Sequence, residues 1–397
     1  MNIDLLEIRP IPVTRGGQLD TEDIVGRDDF ICKLWDLLEN DSIQLIDMRR
    51  LGKSSIINKM VTSPIDNWLC VSISLQGIDN TLDFSEKILK ELRTFESFFK
   101  KVARNVKDMF SSTEIEESGI KVSLKPAFSE SPLMSLEVVL EKISIAFSEK
   151  GQKLLLALDE VPDMLIAVAE HEGPEASKQI LANLRRYRDG NNLASIRWLI
   201  TGSVGMHHVL RRIGGGNDLL NDLHHLPLGS IDGSWAQWLS KCLMMDCEIG
   251  YDENAVAEIA RVTDSIPFLI HLLVGSVRDD LKVNYLSAEN AQLTLDSSVA
   301  DLDNSKNATH LLTRIPTYYG DQAPSAEWIL DQLAESSMDR EALQLSSTSR
   351  REGCFDESEL REILDMLILD HYLKKDPKGL ISWKYPALAR IWKVRRR

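Results

Sequence analysis

Apolar residues in the first half of the chain fall into two alternating patterns: short runs, and longer stretches in which they recur every three to four positions. Phe30 to Leu38 places Phe30, Ile31, Leu34, Leu37 and Leu38 on one helical face, and it hands over to the strand-like run Ile43-Gln44-Leu45-Ile46. Ile56 to Met60 continues a further helix that must stop before Pro64, because a proline steers the residue ahead of it out of helical backbone. Trp68 to Leu75 alternates and predicts a second strand. Phe84 to Val102 carries Phe84, Ile88, Leu89, Leu92, Phe95, Phe98 and Phe99 at helical spacing, a stripe that suits a core better than a ligand site. Leu136 to Phe147 predicts another helix. The unbroken run Leu154-Leu155-Leu156-Ala157-Leu158 suits a strand covered on both faces in a parallel sheet. A helix over Glu175 to Arg188, a strand over Ile196 to Ile200 and a fifth strand over Leu223 to Leu228 complete the alternation. Strands alternating with helices in this way predict an α/β fold around a five-stranded parallel sheet.

Beyond Leu228 the periodicity is wholly helical, over Trp235 to Met244, over Ala255 to Val262, and again from Ile266-Pro267, with the proline in the first turn. After a polar break at Asp301 to Asn307 more helices follow. The chain then closes with a helix at Glu359 to Leu369, a strand, the turn Asp376-Pro377-Lys378-Gly379, and a returning strand at Leu380 to Tyr385. Helix, strand, turn, strand is the outline of a winged helix. The expected organisation is an extended lead-in at 1–23, an α/β domain at 24–230 with an insertion at 101–134, a helical lid at 231–300 and a winged-helix domain at 301–397. The lead-in is rich in proline and glycine (Arg9 to Gly17). The centre of the insertion, Ser111 to Ser131, is polar and irregular, with an edge strand at Gly119 to Leu124.

Composition narrows the function. With 43% hydrophobic and 27% charged residues in 397, the chain can bury several cores. Its N-terminus shows no signal-peptide pattern and no run is long enough to span a bilayer, so a cytoplasmic location with no membrane partner is expected. Five cysteines at spacings that fit no zinc site are expected to be reduced thiols. A net charge of −15 opposes a surface given over to nucleic acid, and the one dense basic run is the tail with Arg395, Arg396 and Arg397. The paired histidines His207-His208 and His224-His225 have no metal-ligand partners at readable spacing.

The chemistry concentrates where strands end. Asp47-Met48-Arg49-Arg50-Leu51-Gly52-Lys53-Ser54-Ser55 follows the first strand and opens a helix, which is the layout of a phosphate-gripping loop. In the pattern G-x-x-x-x-G-K-[ST], Gly52, Lys53 and Ser54 fill the last three places and Asp47 stands at the first glycine. Gly52 lets loop N–H groups turn inward, Lys53 supplies a compact positive charge, and Ser54 offers a hydroxyl to Mg²⁺. Asp47, Arg49, Arg50, Leu51 and Ser55 complete the nucleotide-binding loop. Asp tolerates left-handed backbone better than most residues. Asp159 and Glu160 close the buried strand, where open α/β sheets bind ligands. Asp159 is the candidate metal ligand alongside Ser54, and Glu160 the base that polarises water; an exposed acidic turn is the alternative. Thr201 and Ser203, at the tip of the next strand, are candidates for contacting the attacking water or terminal phosphate. Arg185, Arg186 and Arg188 could reach a neighbouring subunit or simply suit a helix C-terminus.

In fixed order, Val25-Gly26-Arg27, Arg49-Arg50-Leu51-Gly52-Lys53-Ser54, Leu158-Asp159-Glu160, Thr201-Gly202-Ser203 and Ile266-Pro267 resemble the archaeal-type AAA+ P-loop ATPases. The resemblance is to the group related to the STAND signalling and origin-recognition branches, and it spans roughly Ile24 to Leu273. The C-terminal Tyr385-Pro386-Ala387-Leu388 is similar to the winged-helix end of the same group. The resemblance implies a P-loop three-layer sandwich with a helical lid and a winged helix. It also implies an Asp-Glu strand next to the loop strand or one away, bound ATP or ADP with Mg²⁺, Val25 at the adenine rim, Gly26 as a further nucleotide-binding residue, and Pro267 at the base.

Three functions follow as expectations. The first is an ATP-driven switch with slow hydrolysis that controls a partner protein, in signalling or in defence against mobile elements, with a homo-oligomer as a further assembly. The second is an ATP-dependent loader that grips duplex DNA through the winged helix and Arg395 to Arg397. The third is a pseudo-ATPase scaffold that uses nucleotide to hold its fold, for which Asp47 is the argument.

Overall fold

The computed structural model describes residues 6–93 except 18, then 110–116, 119–124, 130–202, 205–281, 284–300, 314–349 and 353–396. The chain divides into two compact units. One is built from residues 29–46 and 56–227, the other from residues 1–28, 47–55 and 228–397.

The first unit is the α/β part. In chain order its elements are α1 (Asp28–Leu38), β1 (Ile43–Ile46), α2 (Lys53–Thr62), β2 (Trp68–Ser74), α3 (Thr81–Leu92), the hairpin β3 (Phe110–Glu116) and β4 (Gly119–Leu124), α4 (Pro132–Ser148) and β5 (Lys153–Asp159). There follow α5 (Val161–His171), α6 (Pro174–Asp189), β6 (Ile196–Gly202), α7 (Met206–Ile213) and β7 (His224–His225). Five strands form one parallel sheet in the order β2-β5-β6-β1-β7. The expected five-stranded α/β sandwich is thus present, with β6 between the Asp-Glu strand and β1. The run Leu154 to Leu158 is at most 1% exposed throughout, as a strand covered on both faces requires. Trp198, Leu199 and Ile200 of β6 are fully buried beside it.

Three details depart from the pattern. β7 spans two residues rather than Leu223 to Leu228, because ladder bonding to β1 is confined to its start. The insertion holds an antiparallel hairpin rather than a lone edge strand. Helix α3 ends at Leu92, and the expected extension through Phe95, Phe98 and Phe99 lies outside the described residues.

The second unit is mainly helical: α8 (Gly233–Asp246), β8 (Gly250–Tyr251), α9 (Glu253–Val262), α10 (Pro267–Ser276), β9 (Tyr285–Leu286) and α11 (Ala288–Ala300). Asp232 and Asp252 cap α8 and α9 by accepting the N–H groups of Ser234 and Ala255. Pro267 stands in the first turn of α10, where a missing N–H costs nothing. The C-terminal part comprises α12 (Arg314–Tyr319), α13 (Ala323–Glu335), α14 (Arg340–Ser346), α15 (Glu357–Leu369), β10 (Leu373–Lys375), β11 (Ile381–Trp383) and α16 (Pro386–Arg396). Strands β10 and β11 form the antiparallel wing. In its turn the Asp376 carboxylate accepts from Lys378 and Leu380 N–H, and Gly379 takes φ 88°. Trp383 Nε1 donates to the Leu330 carbonyl at 3.3 Å, and Tyr319 Oη donates to Asp370 at 2.8 Å, tying wing and helices into one core.

The lead-in is irregular, as its composition predicts, but it is packed. Ile11 is fully buried, its N–H donates to the Cys242 carbonyl, and Thr14 N–H donates to His271 Nδ1 at 3.2 Å. A Cβ on Gly275 would lie 2.8 Å from Val13 Cγ1, so only glycine lets α10 accept this segment so closely. Among the described residues no helix is long and apolar enough to cross a membrane. All five cysteines are unpaired thiols.

Candidate functional site

The residues read in the sequence as a phosphate loop begin at Asp47, directly after β1, and end in the first turn of α2, which opens on Lys53. The left-handed turns needed to wrap such a loop fall at Arg50 (φ 66°) and Gly52 (φ 98°). The Cβ of an alanine at Gly52 would meet only Ser55 Cβ, at an ordinary contact distance of 4.0 Å, so it is backbone conformation and not crowding that asks for glycine. Lys53 is 7% exposed, and its ammonium donates to the Asp47 carbonyl and, at 2.7 Å, to that of Met48. Two carbonyls therefore hold the lysine back across the loop, and the residue itself opens a helix whose first N–H groups attract anions. Ser54 is exposed and Ser55 half-buried in that first turn.

Asp47 uses its side chain quite differently from a glycine substitute at a tight turn. Its carboxylate is wholly buried and accepts three backbone N–H groups: Met48 at 2.8 Å, Leu228 at 3.1 Å and Gly229 at 3.0 Å. The Lys384 ammonium lies 3.8 Å away. Burial alone would push this carboxyl up, but His371, Lys384, the Gly229 N–H and Lys53 outweigh it and hold it below the ordinary aspartate value.

Arg27 enters the sequence pattern only as part of Val25-Gly26-Arg27, which gives it no role of its own. It is 4% exposed, and its guanidinium donates to the carbonyls of Leu51 and Gly229 at 2.9 Å each, and of Ser230 at 3.3 Å. One side chain thus stitches the loop that follows β1 to the segment that leads into α8. Burial lowers the guanidinium to about 10, against the opposing pull of Tyr385 and Asp47, so it stays charged at neutral pH. The signal that could have found it is its place beside Val25-Gly26. Gly26 packs against the start of α8 and the residue leading into it: a Cβ there would lie 2.9 Å from Trp235 Cβ and 3.3 Å from Ile231 Cβ.

Arg50 is turned onto protein partners. Its Nη1 donates to the Gly16 carbonyl at 3.0 Å and its guanidinium lies 5.2 Å from the centroid of Phe268, next to Pro267. Burial and the neighbouring charge of Arg49 both lower its pKa.

In the α/β unit, Asp159, Glu160 and Thr201 come together at the carboxyl edge of the sheet. Thr201 is fully buried, and its Oγ1 donates to Asp159 Oδ1. The same oxygen accepts Glu160 N–H at 3.0 Å. Glu160 adopts left-handed backbone, φ 62° and ψ 36°, as the residue capping α5, a conformation that costs a non-glycine residue and turns the chain sharply out of β5. Gly202 lets the tip of β6 approach α5, since a Cβ there would lie 2.4 Å from Pro162 Cδ. Ser203 lies outside the described residues.

The remaining candidates have other partners. Arg188 pairs with Asp222, 2.9 Å from Nη2 to Oδ1, with a side chain only 3% exposed. Arg186 pairs with Glu137, and Arg185 with Asp189 at 3.3 Å. His208 is buried and His224 and His225 are exposed. In the basic tail, Arg396 pairs with Asp331 at 2.6 Å and Glu327 at 3.0 Å, and Lys393 with Glu335 at 3.0 Å. Arg397 lies outside the described residues.

No protein-family model matches the chain, and no curated protein matches its sequence. Among solved structures it is similar to the Walker-type ATPase of Pyrococcus abyssi, at 18% identity over 98% of this chain and 99% of that one, with a TM-score of 0.62. It is also similar to the ORC2 protein of Aeropyrum pernix in its ADPNP-ADP complexes, at 13% identity over 99% and 95%, with a TM-score of 0.51. At these identities the likeness is one of fold, and it runs the length of the chain.

Proposed function

We propose that this chain binds ATP and hydrolyses it slowly, as a switch whose lid and winged helix respond to the nucleotide and act on a partner protein. The observation that carries the reading is Lys53, buried in the first turn of α2 with its ammonium held by the Asp47 and Met48 carbonyls, in a loop whose left-handed turns lie at Arg50 and Gly52. A charged ammonium, a helix N-terminus and inward-turning N–H groups in one short stretch suit a polyphosphate. The fold shared with a Walker-type ATPase, and with an ORC2 protein solved with ADPNP and ADP, supports the same choice.

In this reading Lys53 and the loop N–H groups would hold the phosphates, Ser54 would offer a hydroxyl oxygen to Mg²⁺ and Asp159 is the candidate carboxylate ligand, the ion when bound neutralising phosphate charge. Thr201 keeps one Asp159 oxygen occupied and so fixes the orientation of the carboxylate. Glu160, set out of line with β5 by its left-handed backbone, is the general base that takes a proton from water. Val25, Gly26 and Pro267 belong to the base-binding side. The partition into 24–230, 231–300 and 301–397 is the working domain scheme. For the alternative loader reading, the ion pairs of Lys393 and Arg396 within the helical unit count against the tail as a free grip on duplex DNA.

The experiment is ATP binding and turnover by the wild-type protein, Lys53→Ala and Glu160→Gln. Lys53→Ala should weaken binding by about 10- to 100-fold, the worth of a charge-assisted contact. Glu160→Gln should bind normally and turn over about 10²- to 10⁴-fold more slowly. A wild-type protein that binds no nucleotide removes the proposal, and one that binds but never turns over supports the scaffold instead. Retention on duplex DNA at low salt would revive the loader.

A further inference from the structure

Lys384 follows β11 directly and is fixed there by its own N–H, which donates to the Tyr372 carbonyl at 2.8 Å. Its ammonium sits 3.8 Å from Asp47 Oδ2 and 5.3 Å from the centroid of the Tyr385 ring. The Asp47 side chain is 0% exposed and that of Lys384 23%, so solvent and salt screen this pair far less than a surface one. The backbone of Asp47 faces the other way: its carbonyl accepts the Lys53 ammonium. One residue therefore holds the phosphate-binding lysine by its carbonyl and a lysine of the wing by its carboxylate. Nearby, the Tyr385 hydroxyl is buried without a hydrogen-bond partner.

We propose that Lys384 is a positioning residue for the phosphate loop, acting through Asp47, and that this ion pair couples nucleotide occupancy of the loop to the β10–β11 wing. The inference rests on the nucleotide reading above. Phosphates at the loop compete with the Asp47 and Met48 carbonyls for Lys53, so the loop backbone at Asp47 must adjust when they arrive. The carboxylate is anchored on the Met48, Leu228 and Gly229 N–H groups, so the basic groups that flank the wing, His371 before β10 and Lys384 after β11, are the members that can follow, and Lys384 is the one that makes the ion pair. Coupling is reciprocal: if the pair favours the binding shape of the loop, nucleotide must steady the pair and the wing that carries it.

The test uses the full chain with a fluorescent ATP analogue for affinity, and amide hydrogen exchange across Tyr372 to Tyr385 with and without ATP. Lys384→Met should weaken nucleotide affinity about fivefold or more, and Lys384→Arg should restore most of it. The double variant Asp47→Asn with Lys384→Met should be no weaker than the poorer single variant, as expected of two residues acting as one unit. In the wild-type protein ATP should slow exchange in the wing, and in Lys384→Met it should not. Single-variant effects that multiply in the double variant, or a wild-type wing whose exchange ignores bound ATP, overturn the inference while leaving nucleotide binding intact. A wild-type protein that binds no ATP overturns both. The wild-type exchange measurement decides the matter even where a variant fails to fold.

Discussion

At the carboxyl edge of β5 the polar groups satisfy one another over short reach: Glu160 N–H and the Thr201 hydroxyl both go to the same Asp159 oxygen, beneath strands of unbroken apolar residues. Around Asp47 the reverse holds. Its carboxylate takes N–H groups 181 and 182 positions away, Arg27 reaches carbonyls 202 and 203 positions away, and Lys384 comes from near the C-terminus. The first arrangement is what any parallel strand ending in an acid can build. The second exists only once distant segments have assembled, so its charges report on assembly in a way the first region's cannot.

That contrast can be broken most directly at Arg27. Arg27→Met leaves several buried carbonyls without a donor and should cost about 3–4 kcal/mol in urea unfolding. Arg27→Lys should recover less than half of it, because a compact ammonium cannot reproduce the planar fork. A loss below 1 kcal/mol would mean the long-range network is decorative.

Next in size is an acid-dependent loss in the same unit. Burial lowers His271 from 6.5 to about 4, and its Nδ1 accepts the Thr14 N–H as a neutral ring must. A depressed folded-state pKa gives stability that is fully present above pH 6.5 and is lost as pH falls toward 4. The expected decline across that window is up to about 3 kcal/mol, seen as a slope in stability against pH that His271→Gln abolishes.

In the α/β unit the matching perturbation is steric. Gly202→Ala sets a methyl against Pro162 and should cost about 1–3 kcal/mol, with melting temperature as the readout. Smallest of all, Arg396→Ala removes exposed pairs with Asp331 and Glu327 and should change stability by less than about 0.5 kcal/mol. It sharpens the comparison by showing that charge counts for much only where it is buried.

The same division explains what could be read in advance. Strand β5 was legible because five apolar residues in a row ending in two acids have few other homes, and α10 because proline favours a first turn. The strand-loop-helix junction from Asp47 to Ser55 was legible from Gly52-Lys53-Ser54, with left-handed backbone at Gly52 and a helix opening on Lys53. By contrast β7 was overread, since Leu223 to Leu228 owes its apolar character to burial and only two residues pair with β1. Asp47 was assigned to the nucleotide loop as a residue tolerant of left-handed backbone, whereas those turns fall at Arg50 and Gly52 and its carboxylate serves distant partners. Arg27 and Lys384 carry no periodic signal. A buried charge is specified by groups hundreds of positions off, which no local window contains.

The oddity of the loop has a practical edge. Anyone wishing to improve this protein by consensus would begin by writing glycine at position 47, the change that best repairs the pattern. Here that repair would strip Leu228 and Gly229 of an acceptor and leave Lys384 facing a vacancy, so the more orthodox loop would belong to the less stable molecule.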